Sequence, residues 1–351
     1  MTDTPVPVFD GHNDTLLKLE TGARTGRPAD FAAGAPELDI DLPRARAGGL
    51  GGGLFAMYTP SRVDDLSAPY DRADPANFAP VAQETALAFT LALFARLHRM
   101  ERAMPQDLAI CRDTDGVRRA METGRLAAVP HIEGAECIDT DLNALEVLHA
   151  AGLRSLGPVW SRSNAFGHGA PMCRQPTPDP GAGLTGAGRA LVRECEALGI
   201  MVDCAHLTEA GFWDVARETG RPLIVSHSNA HAISPNARNL TDRQLDAVAE
   251  RGGLVGLNFH VCFLREDCAL DADTPITVMI RHLDHLLERL GEDGVALGSD
   301  FDGCELPREI GDVTGLPRLI GAMRQAGYGE RLIARIAREN WIAALERAID
   351  G

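Results

Sequence analysis

Two side chains that bind divalent metals well, an imidazole and a carboxylate, stand two residues apart near the beginning of the chain. The segment Asp10-Gly-His12-Asn-Asp14 directly follows the apolar run Val6–Phe9, which is typical of a strand. Residues two apart on a strand point to the same face, so His12 and Asp14 can converge on one ion. Both ligand types suit zinc or a similar cation. Alone, a His-x-Asp pattern is common by chance. It becomes more significant because a strand followed by a candidate ligand recurs along the chain.

The same arrangement, a strand-like run followed by a candidate ligand, recurs along the chain. The later residues are one glutamate, two histidines and one aspartate: Glu133, His206, His227 and Asp300. Taken singly, each is more often a hydrogen-bonded core or cap group than a ligand. Six such residues at strand ends are hard to explain in that way, because burying several carboxylates together without a cation is strongly unfavourable. The pattern therefore predicts bound metal, with two ions favoured.

A two-metal site would give these residues distinct roles. Two ions about 3.5–4 Å apart need a bridging group, and Glu133 is the natural carboxylate bridge because it comes from a different strand than the histidines. Metal coordination makes water acidic enough to serve as a nucleophile near neutral pH. Asp300 is the leading candidate to accept the proton of that water and pass it to a leaving group, and Asp302 is the second choice.

Eight apolar runs bounded by Gly, Pro or polar residues are predicted as the strands that position these side chains. They span residues 6–10, 50–57, 126–132, 153–160, 200–205, 222–226, 253–259 and 295–299. Several are apolar throughout, as is typical of parallel strands buried on both faces. Helical patterns occupy most of the gaps: Val81–Met100, Leu142–Ala151, Gly186–Leu198, Ala210–Glu218, Asp242–Glu250 and Thr277–Leu290.

Eight strand–helix units predict one α/β domain over residues 1–351, a closed (β/α)8 TIM barrel whose chemistry lies at the carboxyl ends of its strands. A doubly wound open sheet is the competing architecture. Residues 60–78 and 161–182 are rich in Pro, Gly, Asp and Ser and are predicted to be long loops that wall or cover the site. His282 and His285, on a periodic helix, are predicted to face solvent or the barrel exterior.

Composition limits the partners and the compartment. The 351 residues carry a formal net charge of −16, which argues against nucleic acid and anionic membrane surfaces. There is no apolar run long enough to span a bilayer, and the N-terminus lacks the pattern of a signal peptide. The cytoplasm is therefore the expected compartment, where the eight scattered cysteines are expected to be reduced thiols.

Five short segments follow one another in a way that resembles the membrane (renal) dipeptidases. They read DGHND at 10–14, IEG at 132–134, VDCAH at 202–206, SHS at 226–228 and GSDFDG at 298–303. Flanking matches lie at 41–48, 199–214 and 236–239, so the resemblance to this family, peptidase M19 of the amidohydrolase superfamily, covers nearly the whole chain. It implies a zinc-dependent hydrolase of dipeptides that tolerates a D-residue at the C-terminal position.

The resemblance also implies roles for individual residues. It pairs the ligands of two zinc ions around a bridge: His12 with Asp14, His206 with His227, and Glu133 between them. Asp300 matches the catalytic acid and base of the family. Arg238 matches the arginine that receives the substrate's α-carboxylate, for which a planar guanidinium is well suited.

The sequence departs from the family pattern at three positions near the expected site. Trp160 stands where many members have a histidine that polarises the scissile carbonyl, and a loop residue, His168, is one candidate to replace it. His260 stands where a tyrosine is frequent, and it either contacts substrate or is a buried strand-end group. Glu136 replaces a histidine in the run after the bridging glutamate. These changes bear on substrate preference more than on metal binding.

Two other functions stay open at this stage. Trp160 and His260 favour, as the alternative to dipeptides, another carboxylate-bearing amide or lactone such as an N-acyl amino acid. The third hypothesis is a non-catalytic binding protein whose metal ligands serve only to stabilise the structure. Such a protein would not need Asp300. Small-molecule substrates are the expected partners, and a homodimer is compatible with the sequence without being indicated by it.

Overall fold

The computed structural model describes residues 5–68, 70–174 and 181–350. The predicted loops 60–78 and 161–182 therefore lie partly outside the described residues, at position 69 and at 175–180. Within the described residues the chain forms nine strands: β1 (Val8–Asn13), β2 (Leu50–Tyr58), β3 (Leu108–Ile110), β4 (Leu126–Glu133), β5 (Ser155–Gly157), β6 (Met201–Val202), β7 (Ile224–Ser228), β8 (Leu254–Leu257) and β9 (Val295–Leu297).

The strands pair in parallel to form a curled sheet in two parts. One part has the order β1-β2-β4-β5-β6, with β3 beside the beginning of β4, and the other has the order β7-β8-β9. Single bridges, Asp203 with Ile224 and Asn13 with Phe301, lie at the edges between the two parts. The fold is thus mixed α/β with all carboxyl strand ends on one side.

Helices follow most strands and cover the outer face of the sheet, as parallel pairing requires. They are α1 (Thr15–Arg24), α2 (Leu42–Gly48), α3 (Gln83–Ala103), α4 (Thr114–Glu122), α5 (Asn143–Ala151), α6 (Gly186–Leu198), α7 (Glu209–Glu218), α8 (Asp242–Glu250), α9 (Val261–Leu264), α10 (Ile276–Leu290), α11 (Leu316–Gln325), α12 (Glu330–Ala334) and α13 (Asn340–Ile349). Short 3₁₀ turns span Pro75–Phe78, Ala135–Cys137 and Val313–Gly315, and a π-helical turn spans Arg335–Glu339.

Two buried clusters occupy the two faces of the sheet. The inner cluster takes side chains from the strands, such as Phe9, Leu54 and Val129, and it is completed from below by Trp341 of α13. The inner space is narrow: a Cβ on Gly256 would lie 2.0 Å from the carbonyl oxygen of Ser226, so only glycine fits there. The larger outer cluster packs the other face of the strands against the helices.

The structure confirms the predicted alternation of strands and helices and corrects some of its details. Several strands are shorter than predicted, and β6 is only Met201–Val202 against a predicted 200–205. The strand β3 and the helices α1, α2, α4, α9, α11 and α12 were not predicted from the periodicity. The prediction that His282 faces outward is wrong, because its ring is fully buried and bonds the backbone of Ala230 and Leu264.

Candidate metal centre

Simple alternation along β4 carries Glu133 to the mouth of the curled sheet. Ala127 and Val129 pack in the inner cluster, whereas Ala128 and Ile132 pack in the outer one. The carboxylate of Glu133 therefore continues the inner face at the last residue of the strand. It is 4% exposed, so it is held among other side chains and not in bulk water.

Irregular pairing turns the histidines of β1 and β7 toward the same point. Phe9 and Ile224 belong to the inner cluster, so strict alternation would turn His12 and His227 outward. The β1–β2 register shifts in the segment that contains His12, and the β7–β8 register shifts in the segment that contains His227. Such irregularities re-aim side chains next to active sites. The two rings lie against each other at an angle of 31°, with centroids 3.9 Å apart.

His206 and Asp300 reach the centre from left-handed backbone. Their φ angles are 66° and 65°, a backbone conformation that residues with a side chain seldom adopt. Asp14 lies one residue beyond β1, at the beginning of α1, so it does not share the strand with His12 as the sequence suggested. It nevertheless reaches the same place, with its Oδ2 atom 3.5 Å from Nε2 of His12.

One oxygen of Glu133 lies close to all three predicted histidine ligands. Oε1 of Glu133 lies 2.9 Å from Nε2 of His206, 3.5 Å from Nε2 of His227 and 3.6 Å from Nε2 of His12. The Nε2 atoms of His206 and His227 are only 2.9 Å apart. All of these side chains are buried.

The donor set fits divalent metal. Two trios have ligand atoms within 4.8 Å of one another: His12 with Glu133 and His227, and His12 with Asp14 and Asp300. Nδ1 of His12 and Oδ1 of Asp14 are buried and have no hydrogen-bond partner among the described residues. Buried polar atoms without partners are rare in native proteins and are costly unless an ion or water satisfies them.

The electrostatics of the cluster point the same way. Burial raises the pKa of Glu133 well above its usual value and raises that of Asp300 to about 6. Burial alone would lower the pKa of His12, but the carboxylates of Glu133 and Asp14 outweigh it and raise that pKa to about 10. Burial lowers the pKa of His206 and His227 well below the usual value, so these rings are neutral, as metal ligands must be. A divalent ion can replace the protons that His12, Glu133 and Asp300 hold without it.

Hydroxyl groups orient two of the imidazoles from behind. Ser226 donates its hydroxyl proton to Asp203, and its oxygen lies 2.7 Å from Nδ1 of His227. That oxygen must then accept the Nδ1 proton, which leaves the Nε2 lone pair of His227 directed at the centre. Ser161 Oγ lies 2.8 Å from Nδ1 of His206 in a similar position.

Removing the Ser226 hydroxyl should weaken metal binding without removing a ligand. We expect Ser226→Ala to lower the affinity for zinc about 10–100-fold, because His227 loses the contact that fixes its tautomer and ring. The measurement is metal content by mass spectrometry after dialysis against graded chelator. Ser163→Ala, which removes a hydroxyl that contacts His168 outside the centre, is the matched control. Equal zinc retention in both variants would contradict the role of Ser226.

Asp302, the second choice for the acid and base, is tied into the scaffold instead. Thr15 donates to its Oδ2 atom at 2.7 Å, and the backbone N–H of Asp39 donates to its Oδ1 atom at 2.7 Å. Its own N–H donates to the carboxylate of Asp39. Burial and the neighbouring Asp39 raise the pKa of Asp302 to about 7.

The buried pair of Asp302 and Asp39 predicts a pH dependence of stability. Because the folded protein holds the Asp302 proton up to about pH 7, more tightly than the unfolded chain, the stability from that proton is lost as the pH rises through that value. Between pH 5.5 and 8 we expect the Tm of the metal-free protein to fall by about 2–4 °C more in wild type than in Asp302→Asn. Parallel Tm profiles in calorimetry would contradict the assignment.

The centre opens into a cavity of about 660 Å³. Trp160 and His260 line this cavity together with Glu133, His206 and Asp300. His168 does not line it, and its Nδ1 atom lies 2.9 Å from Ser163 Oγ. The structure thus places Trp160 and His260 beside the centre and gives no support to His168 as the replacement for the family histidine.

Arg238 lies next to the centre but behind its wall. It is 3% exposed, and its Nη2 atom donates to the carbonyl oxygen of His227 at 3.2 Å. Its guanidinium carbon lies 5.4 Å from the ring centroid of Phe263, which lines the cavity. The Nε atom is buried without a hydrogen-bond partner among the described residues, so the arginine keeps donor capacity close to the site.

Comparison with known proteins agrees with this geometry. The model of the membrane dipeptidase family, peptidase family M19, matches residues 3–350. The chain belongs to this family. The resemblance inferred from the five motifs is thereby confirmed, and so is the prediction that the protein is an enzyme of the metallo-dipeptidase type.

Solved structures and a curated relative align over most of the M19 chain. A metallopeptidase from Rhodobacter sphaeroides, solved with a phosphinate mimic of the dipeptide L-Ala-D-Ala, is 47% identical with a TM-score of 0.91, covering 98% of this chain and 99% of its own. The M19 dipeptidase AC is 47% identical, also with a TM-score of 0.91, covering 99% and 100%. An uncharacterised protein in the pqqA 5′ region of Klebsiella pneumoniae is 46% identical over 239 residues, which is 68% of this chain and 88% of its own.

The family is called membrane dipeptidase, but in the described part of the chain no helix is long and apolar enough to cross a membrane.

Proposed function

We propose that this M19 protein is a zinc dipeptidase built as one closed (β/α)8 barrel over residues 1–351. The bridges Asp203–Ile224 and Asn13–Phe301 support closure, because they lie where β6 meets β7 and where β9 meets β1. With β3 set aside, eight strands then surround the inner cluster. An amidohydrolase from Pseudomonas aeruginosa has the same overall fold, with a TM-score of 0.76 at 20% identity.

The centre is proposed to hold two zinc ions. His12 with Asp14 and His206 with His227 would be the two ligand pairs, and Glu133 would bridge them. The observation that supports the bridge is the position of Glu133 Oε1 within 3.6 Å of three histidine nitrogens. Bound zinc would supply Lewis acidity for the scissile carbonyl and would lower the pKa of the attacking water.

The protein's own residues would move the proton and hold the substrate. Asp300 accepts a hydrogen bond from Asn258 on Oδ2 at 3.0 Å, which fixes its carboxylate at the edge of the cluster. From there it would take the proton of the nucleophile and deliver it to the departing amine, as a general acid and base with a pKa near the working pH can do. Arg238 would hold the α-carboxylate, and Trp160 and His260 would contact the substrate from the cavity wall.

Dipeptides, including those with a C-terminal D-residue, are the proposed substrates. The single observation that carries this proposal is the relative from Rhodobacter sphaeroides solved with a mimic of L-Ala-D-Ala, which covers 98% of this chain at 47% identity. We propose that the protein acts in the cytoplasm on small molecules and has no nucleic acid or membrane partner. We also propose a homodimer, which a size measurement in solution can test.

A stereochemically matched panel of L-L and L-D dipeptides tests the substrate class. We expect amino-acid release with kcat/KM above about 10⁴ M⁻¹s⁻¹ for the preferred members, the lower end for true enzyme substrates. N-acyl amino acids form the second arm, which is motivated by Trp160 and His260, two departures from the family pattern that line the cavity. Hydrolysis of N-acyl amino acids without hydrolysis of any dipeptide would replace the dipeptide proposal.

The role of Arg238 has a substrate-side test. We expect Arg238→Met to lower kcat/KM for dipeptides about 100-fold, mainly through KM, because a charge-assisted bidentate contact is lost. The same variant should hydrolyse dipeptide amides, which lack the carboxylate, as slowly as wild type does. An unchanged KM for dipeptides would contradict this role of Arg238. The substrate's α-carboxylate would then bind one of the other basic residues that line the cavity: Lys18, Arg62 or Arg72.

A further inference from the structure

A fully buried arginine connects two of the positions at which this chain departs from the family pattern. The side chain of Arg162 has no exposed surface, and its Nε donates to Oε1 of Glu136 at 2.8 Å. The Nη1 atom donates to the hydroxyl of Tyr58 at 3.1 Å, and Nη2 donates to the carbonyl oxygen of Thr59 at 2.6 Å. With these bonds made, Arg162 is a scaffold residue and does not offer a charge to substrate.

The same guanidinium fixes two aromatic rings. Its central carbon lies 5.4 Å from the ring centroid of Trp160 and 5.2 Å from that of Tyr58. A charge over a ring is favourable when it is desolvated. Burial of Arg162 without Glu136 would leave an unpaired charge, which is strongly unfavourable. Glu136 therefore stabilises the position of Trp160 through Arg162.

Two of the rings, Tyr58 and Trp160, line the cavity beside the metal centre, and Phe78 supports Trp160 from outside the cavity lining. Phe78 lies nearly parallel to Trp160, with centroids 5.3 Å apart and an angle of 12°, and Tyr58 adds a third ring at 5.0 Å. Trp160 also lies against the ligand His206, with centroids 5.9 Å apart. We call Tyr58, Phe78 and Trp160 the aromatic wall.

The wall and the proposed carboxylate anchor come from different parts of the barrel. Tyr58 ends β2 and Trp160 follows β5, whereas Arg238 follows β7 and contacts Phe263. A dipeptide with its carboxylate at Arg238 and its peptide carbonyl at the centre extends its N-terminal residue away from Arg238. That residue carries the scissile carbonyl, so its side chain lies beside His206 and the wall.

We propose that the aromatic wall, held in place by the Glu136–Arg162 pair, is a specificity subsite for a large apolar side chain on the N-terminal residue of the substrate. The inference rests on the proposed dipeptidase function and names its preferred substrate class: dipeptides with an aromatic or long aliphatic L-residue at the N-terminal position. Trp160 contacts that side chain, and Glu136 and Arg162 are positioning residues.

Isomeric dipeptides provide the test on the zinc-loaded full chain. L-Phe-D-Ala and L-Ala-D-Phe carry the same ring on opposite residues, and L-Ala-D-Ala is the common reference. We expect wild type to prefer L-Phe-D-Ala over L-Ala-D-Ala by at least about tenfold in kcat/KM, the scale of discrimination by an apolar pocket. Trp160→Ala should reduce that ratio to about one while changing the ratio for L-Ala-D-Phe little.

Three further variants separate the subsite from a general structural effect. Trp213→Ala, the same change on helix α7 outside the cavity, should leave both ratios unchanged. Glu136→Gln should lower the L-Phe-D-Ala ratio in wild type but not in the Trp160→Ala background, because it acts through Trp160. Phe78→Leu alters a partly exposed member of the wall and serves if the buried variants fail to fold.

The outcomes distinguish this inference from the function on which it rests. If no dipeptide is hydrolysed by the zinc-loaded protein, the proposed function fails. If L-Ala-D-Ala is hydrolysed but wild type shows no preference for L-Phe-D-Ala, the subsite is overturned alone. The subsite is also overturned if Trp160→Ala leaves the L-Phe-D-Ala ratio unchanged. If Trp160→Ala does not fold, an unchanged ratio in Phe78→Leu has the same meaning. An equal loss of the ratio for L-Ala-D-Phe overturns it as well.

Discussion

Replacing Glu133 by Gln is expected to abolish metal loading and turnover together. The amide has one weak acceptor oxygen in place of two charged ones, yet Oε1 of Glu133 is the atom that three histidine nitrogens approach within 3.6 Å. Metal catalysis supplies several kcal/mol, and each 1.4 kcal/mol is a factor of ten. We therefore expect kcat/KM to fall by at least about 1,000-fold and the dialysed protein to lose its zinc.

The control for Glu133→Gln is the same substitution at Glu84, an exposed residue in the first turn of α3. That variant should keep wild-type metal content and activity. Zinc is measured by mass spectrometry on the dialysed protein, and turnover is measured by amino-acid release. An active Glu133→Gln protein with its full complement of metal would contradict the bridging role.

Replacing Asp300 by Asn should separate turnover from metal binding. General acid–base catalysis contributes about 10²–10⁴-fold, and we expect kcat to fall by this factor while zinc content stays near that of wild type. Burial raises the pKa of Asp300 to about 6, and bound cations would lower it. The acidic limb of the wild-type kcat profile should therefore lie at or below about pH 6 and should be absent from the variant.

Asp302→Asn is the matched control, two residues away in the same loop. Because both oxygens of Asp302 are bound to Thr15 and Asp39, we expect its kcat to stay within about threefold of wild type. A loss of zinc in Asp300→Asn would instead make Asp300 a metal ligand, which its place in a trio with His12 and Asp14 makes a geometric option.

Local sequence patterns indicated which side chains lie together at the centre, because each of these residues follows a strand-like run. Their roles as ligands stay predictions. Glu133 directly ends a continuous apolar run, and the structure confirms that alternation along β4 brings it to the mouth. His12 and His227 were found for a similar reason, but their orientation depends on register shifts in β1 and β7 that no periodicity reveals.

Features that depend on long-range contacts were beyond sequence reasoning. Glu136 and Arg162 are 26 residues apart in the chain, and no local pattern shows that they form a buried pair. The strand β3 has only three residues, too few for a period-two pattern. His282 was placed outside because helical spacing does not show that its ring bonds the backbone at Ala230 and Leu264.

Amino-acid release from L-Ala-D-Ala, by protein whose zinc content has been measured, tests whether two metals and these side chains hydrolyse dipeptides. We expect about two zinc ions per chain and release that is lost in Glu133→Gln and restored by no added metal. Silence toward L-Ala-D-Ala and toward the whole dipeptide panel, with two zinc ions bound, would contradict this expectation.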